Sequence, residues 1–359
     1  MHSTQLRRAL LGAIAVLLAG CAARAPVLLE TIPDTGPRSV EIADAPFFPQ
    51  EDYQCGPAAL ATVLGQSGVN VTPAALAPQV YLPQRKGSLQ IELIAATRRH
   101  GRVPVIITPE LSALVAELQA GRPVLVLQNL RLQTWPQWHY AVVVGYDAQR
   151  DVFLLRSGRA QRLEATTAEF LRTWRLGRRW GMVTLVPGEL PASSDPRRYL
   201  EAVAAMETVA DSGTLTTAYR AALARWPQNF AARFGLANAL RSSGELAAAD
   251  VIYRSLLIER PDEPAVVNNL ADLLVESGCP DEAVFLLDRV LANGAGGALG
   301  ATLKKTRAEA LAAPDLPGGS CSAPRSVAPS RRPQTLKEVT GARVSFPRRA
   351  SAPATTKLP

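Results

Sequence analysis

A 34-residue period in the second half constrains this chain more than any other feature. Pro227 recurs as Pro261, Leu236 as Leu270, Ala237 as Ala271, Gly244 as Gly278 and Ala249 as Ala283; backwards, Tyr253 maps to Tyr219 and Leu257 to Leu223. Such a period marks a unit that cannot bury its apolar face alone and stacks on copies of itself. The surrounding Ala-, Leu- and Arg-rich pattern is helical, so each unit reads as two helices. The small Ala237 and Ala249 allow the helices to approach closely, the glycine turns the chain, and the proline ends the second helix. This yields a diverged first unit near 196–229, then 230–263 and 264–297, and a solvating end helix over 298–313 with Lys304, Lys305 and Arg307. Three units form a short concave groove for a peptide or a partner helix, or simply prop up the preceding module.

The chain has 359 residues, enough for two or three modules, and a formal charge of +8. That charge sits at the two ends. Arg7 and Arg8 carry it at the start, and eight Lys/Arg against Asp315 and Glu338 carry it over 314–359. The body is neutral, which argues against a basic face reading nucleic acid. Residues 1–20 read as a signal peptide: Arg7 and Arg8 precede an apolar run from Ala9 to Gly20 that is too short to span a bilayer. Leu18-Ala19-Gly20-Cys21 looks like a lipoprotein signal, in which the Cys21 thiol receives the lipid and several acyl chains together give stable membrane anchoring. Ala22 after it, by resemblance to Gram-negative lipoproteins, implies an outer-membrane anchor facing the periplasm. Residues 21–40 read as a linker, and the basic, Pro-rich 314–359 as a disordered tail.

With Cys21 assigned to lipid, Cys55, Cys279 and Cys321 remain in a compartment that permits disulfides. Pairing Cys279 with Cys321 would leave Cys55 alone. Residues Pro46 to Gln54 cannot be helical, and Pro57 then opens an Ala/Leu-rich helix closed by Gly65 to Gly68, so Cys55 stands at a helix N-terminus. That position favours a thiolate and can pull a cysteine below its usual ~8.5. Val103 to Ile107 and Pro123 to Leu127 read as buried strands with a helix from Pro109 to Ala120 between them. His139 opens a further strand, Ala141 to Val144, which ends at Gly145 and forms a hairpin with Asp151 to Leu155. Of three histidines, His2 leaves with the signal and His100 lies in a polar helix end, so His139 is the one base available to Cys55.

Gln50, the run Cys55-Gly56-Pro57-Ala58-Ala59-Leu60, Gly87-Ser88 and His139-Tyr140-Ala141-Val142-Val143-Val144-Gly145 together resemble the papain-like cysteine peptidases that cut bacteriocin leaders after a double glycine. The resemblance covers about residues 40–190 and implies an α+β papain-like domain over 41–190. The repeats resemble tetratricopeptide (TPR) repeats, an all-α helical-repeat domain over 196–313. In the peptidase family a glutamine a few residues before the cysteine supplies an oxyanion-hole amide. Gln50 takes that role here, with Gln54 the weaker rival. The family orients its histidine with an Asp or Asn on the next strand, where this chain has Arg156 and Ser157. Ser157 is a weak acceptor for the imidazole, and Asp147 in the intervening turn is an alternative from outside the family position.

The implied chemistry is acyl transfer: His139 holds Cys55 as thiolate, the thiolate attacks a peptide carbonyl, and the Gln50 amide with the Cys55 N–H steadies the oxyanion. No cofactor is expected. One histidine without a Cys-x-x-Cys pair does not supply zinc ligands of the usual spacing. The reading is therefore a lipid-anchored cysteine peptidase with a protein or peptide substrate, a protein partner in the repeat groove, a membrane contact through Cys21 and no nucleic acid. The alternatives are a catalytically inactive peptidase-like TPR adaptor and a cell-wall hydrolase. Hydrolases of that kind usually show Asp-Cys-Ser/Gly before the helix, where this chain has Gln54-Cys55-Gly56-Pro57.

Overall fold

Short β-branched runs between residues 103 and 185 cannot bury themselves singly, and they pair into one antiparallel sheet. The structure, a computed structural model, describes residues 28, 31–32, 36–50, 54–192, 195–294, 297–314 and 321. The expected signal peptide, Cys21, much of the linker and nearly all of the tail lie outside them. The sheet contains β1 (Ser39–Glu41), β4 (Val103–Ile106), β5 (Val124–Asn129), β6 (Trp138–Asp147), β7 (Val152–Ser157), β8 (Ala160–Thr166) and β9 (Gly181–Leu185). Its order is β4-β9-β5-β6-β7-β8, and β1 continues the β5 edge of β6 by pairing Glu41 with Gly145 and Ser39 with Asp147. A separate two-stranded ribbon joins β2 (Tyr81–Leu82) to β3 (Gly87–Ser88).

Gly145 does not end β6, contrary to the sequence expectation. The strand runs through it with a register shift between Val143 and Gly145. The glycine is needed because β1 lies against it: a Cβ would stand 2.2 Å from the Val40 carbonyl oxygen. A turn-like residue inside a strand marks a close backbone approach as readily as a terminus.

Helix α1 (Cys55–Gln66) is buried from Gly56 through Leu64 and packs across β5, β6, β7 and β9. An Ala/Leu helix with little polar face belongs in an interior. Gly65 lies inside it against Pro46, and the chain reverses at Gly68, whose φ is 86°. Helices α2 (Pro73–Val80), α3 (Gln90–Arg99) and α4 (Leu111–Gln119) follow in chain order. Helix α5 (Thr167–Leu176) opens on a Thr166/Glu169 capping box and packs the Phe170 ring at a tilt against Phe153, ring centroids 4.5 Å apart.

The repeat region consists of α6 (Pro196–Ala204) with α7 (Ser212–Arg225), α8 (Phe230–Ser242) with α9 (Leu246–Glu259), α10 (Pro264–Glu276) with α11 (Pro280–Ala292), and α12 (Gly300–Ala312) against the last pair. Ala237, Ala249, Ala271 and Ala283 are fully buried where partner helices meet, and Gly244 and Gly278 adopt positive φ at the turns. The joint between the two regions is packed: α6 lies on β4, the Arg198 guanidinium donates to the Ile106 carbonyl at 3.4 Å, and buried Glu117 accepts from the Ala192 N–H at 2.8 Å. Cys279 and Cys321 form a disulfide, so Cys321 is bonded within the segment the sequence assigned to disorder. Among the described residues, no helix is long and apolar enough to cross a membrane.

Candidate active site

Cys55 is the first residue of α1 and the free cysteine among the described residues. It lies half-buried in a cleft of about 1050 Å³ that Gln50, Ser88, His139 and Tyr140 also line. Four separate stretches of sequence meet there. Gln50 arrives on an extended segment pinned by its own N–H to the Gly158 carbonyl at 3.0 Å, and its side-chain amide donates to the Tyr140 carbonyl at 3.5 Å. His139 is the second residue of β6, opposite Gln128 of β5. Gly56 follows Cys55 because nothing larger fits: a Cβ would stand 2.2 Å from the Ser88 Oγ.

The imidazole Nε2 of His139 lies 2.8 Å from the Ser157 Oγ at the end of β7. With Nε2 occupied by the hydroxyl, Nδ1 is the nitrogen left for a substrate-side proton. Asp147, the other candidate for this role, is excluded by geometry. It sits eight residues along β6, about 25 Å away at the rise of a strand, and its carboxylate accepts from the Gln149 and Arg150 N–H groups in the next turn. Gln54 is the residue before α1 and is not among the cleft residues, whereas Gln50 is.

Arg156, the residue before Ser157, does not face the imidazole but serves the backbone. The residue is 4% exposed and its guanidinium donates to the carbonyls of Ala43, Ala45 and Gln161, at 3.0, 3.3 and 2.6 Å. It clamps the segment that leads to Gln50. The sequence signal was an arginine inside an otherwise apolar strand, which is costly unless paired or fully hydrogen-bonded. Ser88 and Tyr140 were likewise read only as parts of a motif: the Tyr140 hydroxyl donates to the Ser88 carbonyl at 3.3 Å, tying β3 to β6 across the cleft floor.

Electrostatically the pair differs from the sequence expectation. Burial pushes the Cys55 thiol above its ordinary value, while the backbone N–H groups of Tyr140, Gly56 and Cys55 itself pull the other way. Burial likewise pulls the His139 imidazole below its ordinary value. Both shifts favour a neutral thiol beside a neutral imidazole. The helix start does act on the sulfur, through its N–H groups, but desolvation of the charged form is larger. Among the described residues, no group of three or more His, Cys, Asp or Glu is placed to hold a metal ion.

Comparison with known proteins agrees with this architecture. Residues 42–178 match the Peptidase C39-like family and residues 240–305 match tetratricopeptide repeats. Similar solved structures include a protein described as a C39-like peptidase from Bacillus anthracis, at 16% identity and a TM-score of 0.34, covering 42% of this chain and 98% of that one. A double-glycine motif protease from an AMS/PCAT transporter, solved with a leader peptide, is 18% identical with a TM-score of 0.31, covering 42% of this chain and 94% of that one. The peptidase domain of Streptococcus ComA, a bi-functional ABC transporter, is 18% identical with a TM-score of 0.31, covering 40% of this chain and 98% of that one. No curated protein matches the chain by sequence. A sheet-containing domain that matches the Peptidase C39-like family over residues 42–178 is thus joined to a helical region that matches tetratricopeptide repeats over 240–305, in the α+β then all-α order that the sequence implied.

Proposed function

We propose that this protein is an active cysteine peptidase, lipid-anchored through Cys21 in the outer membrane and facing the periplasm, that cleaves a peptide bond of an exported protein or peptide. Its TPR arm recruits a partner or the substrate itself. The observation that carries the reading is the 2.8 Å contact of His139 Nε2 with Ser157 in the cleft that also holds Cys55 and Gln50.

From the neutral resting pair, Cys55 Sγ attacks the scissile carbonyl carbon as its proton passes to His139 Nδ1. The oxyanion meets the Gln50 side-chain amide and the Cys55 backbone N–H, donors worth ~3 kcal/mol each. Collapse breaks the C–N bond, and His139 returns the proton to the leaving amine. A water, deprotonated by His139, then hydrolyses the thioester. Ser157 positions the ring.

Two observations favour the adaptor reading instead: the third position is a hydroxyl, and burial works against thiolate formation. Alkylation of Cys55 with iodoacetamide decides between them, in the Cys21→Ser chain with and without His139→Ala, alongside turnover of a peptide library. The peptidase reading expects His139→Ala to slow alkylation at pH 7 at least about tenfold and to end cleavage, as general-base loss does. A Cys55 indifferent to His139 in a chain that cleaves nothing makes the domain a binding module. For the anchor, labelled palmitate is expected to enter the wild type and not Cys21→Ala.

A further inference from the structure

The repeat arm has a cavity of its own, and a distant part of the chain is fastened beside it. The cavity, of about 380 Å³, is lined by Asn238, Arg241 and Ser242 of α8, Tyr253 of α9, and Asn269 and Glu276 of α10. Its polar groups are organised. The Asn238 Oδ1 accepts from the Tyr253 hydroxyl at 2.7 Å and from the Asn269 amide at 2.8 Å, so this carboxamide has its NH2 group to offer a ligand. The Arg241 guanidinium donates to both carboxylate oxygens of Glu276, one at 3.2 Å, and to Asp272 at 3.5 Å. One cation between two carboxylates keeps this wall net negative. The helix pair behind it adds to that sign, since over residues 264–292 five Asp or Glu stand against Arg289.

The disulfide brings the C-terminal segment to this wall. Cys279, 4% exposed and three residues after Glu276, holds Cys321, whose sulfur lies 3.6 Å from the Gly278 carbonyl oxygen. The chain after Cys321 lies outside the described residues, and its sequence has eight Lys/Arg against Glu338. Its charge is opposite to that of the wall. The nearest stretch, 322–334, contains Pro324-Arg325, Pro329 and Arg331-Arg332-Pro333. Proline has no N–H but keeps its carbonyl, so such a stretch presents acceptors to an amide donor such as Asn238. At the ~3.1 Å per residue of a polyproline helix it would reach about 40 Å, whereas packed helices lie only ~8–10 Å apart. From Cys321 it spans α10 and α8 with length to spare.

We propose that residues 322–334 lie across this cavity in their own chain, so that the arm is self-occupied and a partner enters by displacing a basic, proline-rich segment. The disulfide tethers that segment at its site, where its effective concentration is on the ~mM scale. The proposal deepens the proposed function and takes from it only that the arm holds a peptide; it needs no chemistry at Cys55.

The test is photocrosslinking in the full chain carrying Cys21→Ser. The photoreactive residue p-benzoylphenylalanine replaces either Ser242 in the cavity or Ile258, which is 83% exposed on α9 and outside it. Mass spectrometry of the digested monomer identifies the joined peptides. Position 242 is expected to crosslink to 322–334 at least about tenfold more than position 258, and a synthetic 322–334 peptide in excess should compete. The triple change Arg325→Glu, Arg331→Glu and Arg332→Glu is expected to lower the yield about tenfold, and added salt to lower it too. Cys279→Ser with Cys321→Ser should lower it severalfold, because the tether is lost.

Crosslinks from position 242 that map elsewhere, equal yields from the two positions, or a yield untouched by the three glutamates would each overturn the proposal. So would tail crosslinks found only between two chains, which make a second copy the occupant. A tail that does not crosslink to position 242 but binds phosphatidylglycerol vesicles through the same arginines also overturns it, since the basic segment then serves a membrane. Alkylation of Cys55 is read separately: the peptidase reading can fail there while the crosslinks persist, and the crosslinks can fail while Cys55 responds to His139.

Discussion

The two regions of this molecule store their information differently. In the repeat arm a residue's environment is set by neighbours within one unit and by the copy 34 positions away: Tyr219 packs on Gly235, and Tyr253 hydrogen-bonds Asn238 at 2.7 Å. In the sheet domain the site draws on residues 50, 55, 139 and 157, and the loop behind it is held by an arginine reaching back more than a hundred positions. Damage should therefore stay local in the arm and spread in the sheet domain. A repeat spreads its stability over many small caps and contacts, while the cleft of the sheet domain concentrates it in a few long-range polar ties.

Arg156→Met gives the largest expected effect. It leaves the carbonyls of Ala43, Ala45 and Gln161 without their donor, at about 3 kcal/mol or more, and frees the segment carrying Gln50. Chemical denaturation should show the loss in the sheet domain, with peptide turnover falling alongside. An unchanged midpoint would mean that the clamp is not structural and the contrast between the regions fails.

Gly235→Ala is the counterpart in the arm. The new Cβ would stand 2.2 Å from Cζ of the Tyr219 ring, whose hydroxyl donates to Glu207 at 2.8 Å. Overpacking costs ~1–3 kcal/mol and alanine regains up to ~1 through helix propensity, so a net loss of about 1 to 2 kcal/mol is expected. Thermal unfolding should register it, and Cys55 alkylation should not. An effect on Cys55 would show that the arm and the cleft are mechanically coupled through the packed joint at α6.

Ser157→Ala removes one neutral hydrogen bond from the imidazole and should lower kcat/KM about tenfold, near 1.4 kcal/mol. Ser157→Asp adds a sharper test. Because burial holds His139 below its ordinary value, the acid limb of the pH–rate profile is expected under ~6.5; a carboxylate beside the ring favours the imidazolium and moves that limb to higher pH. A limb that does not move with Ser157→Asp would show that His139 is not the titrating base. The smallest change is Asn229→Ala, which removes the cap on α8, where the side chain accepts from the Ala232 N–H at 3.0 Å; about 1 kcal/mol should be lost with peptidase activity unaltered.

Sequence by itself determined the repeat arm almost completely. A fixed period, small residues at the crossings and glycine at the turns all act within a few tens of residues, and α7 to α11 fall where that pattern put them. It also placed Cys55 at a helix start and His139 on a strand, because proline geometry and β-branched runs are local signals. Only the tertiary structure decided the rest. The distance along β6 removed Asp147 in favour of Ser157, and a crossing strand turned Gly145 from an expected terminus into a bulge. Desolvation outweighed the helix start at Cys55. Arg156 proved to be a backbone clamp, and Lys86 and Arg178 came to one cleft from segments some ninety residues apart. Helix and turn preferences are paid within the segment that shows them, whereas burial, close approach and shared clefts depend on which distant segment arrives, and no local pattern records that.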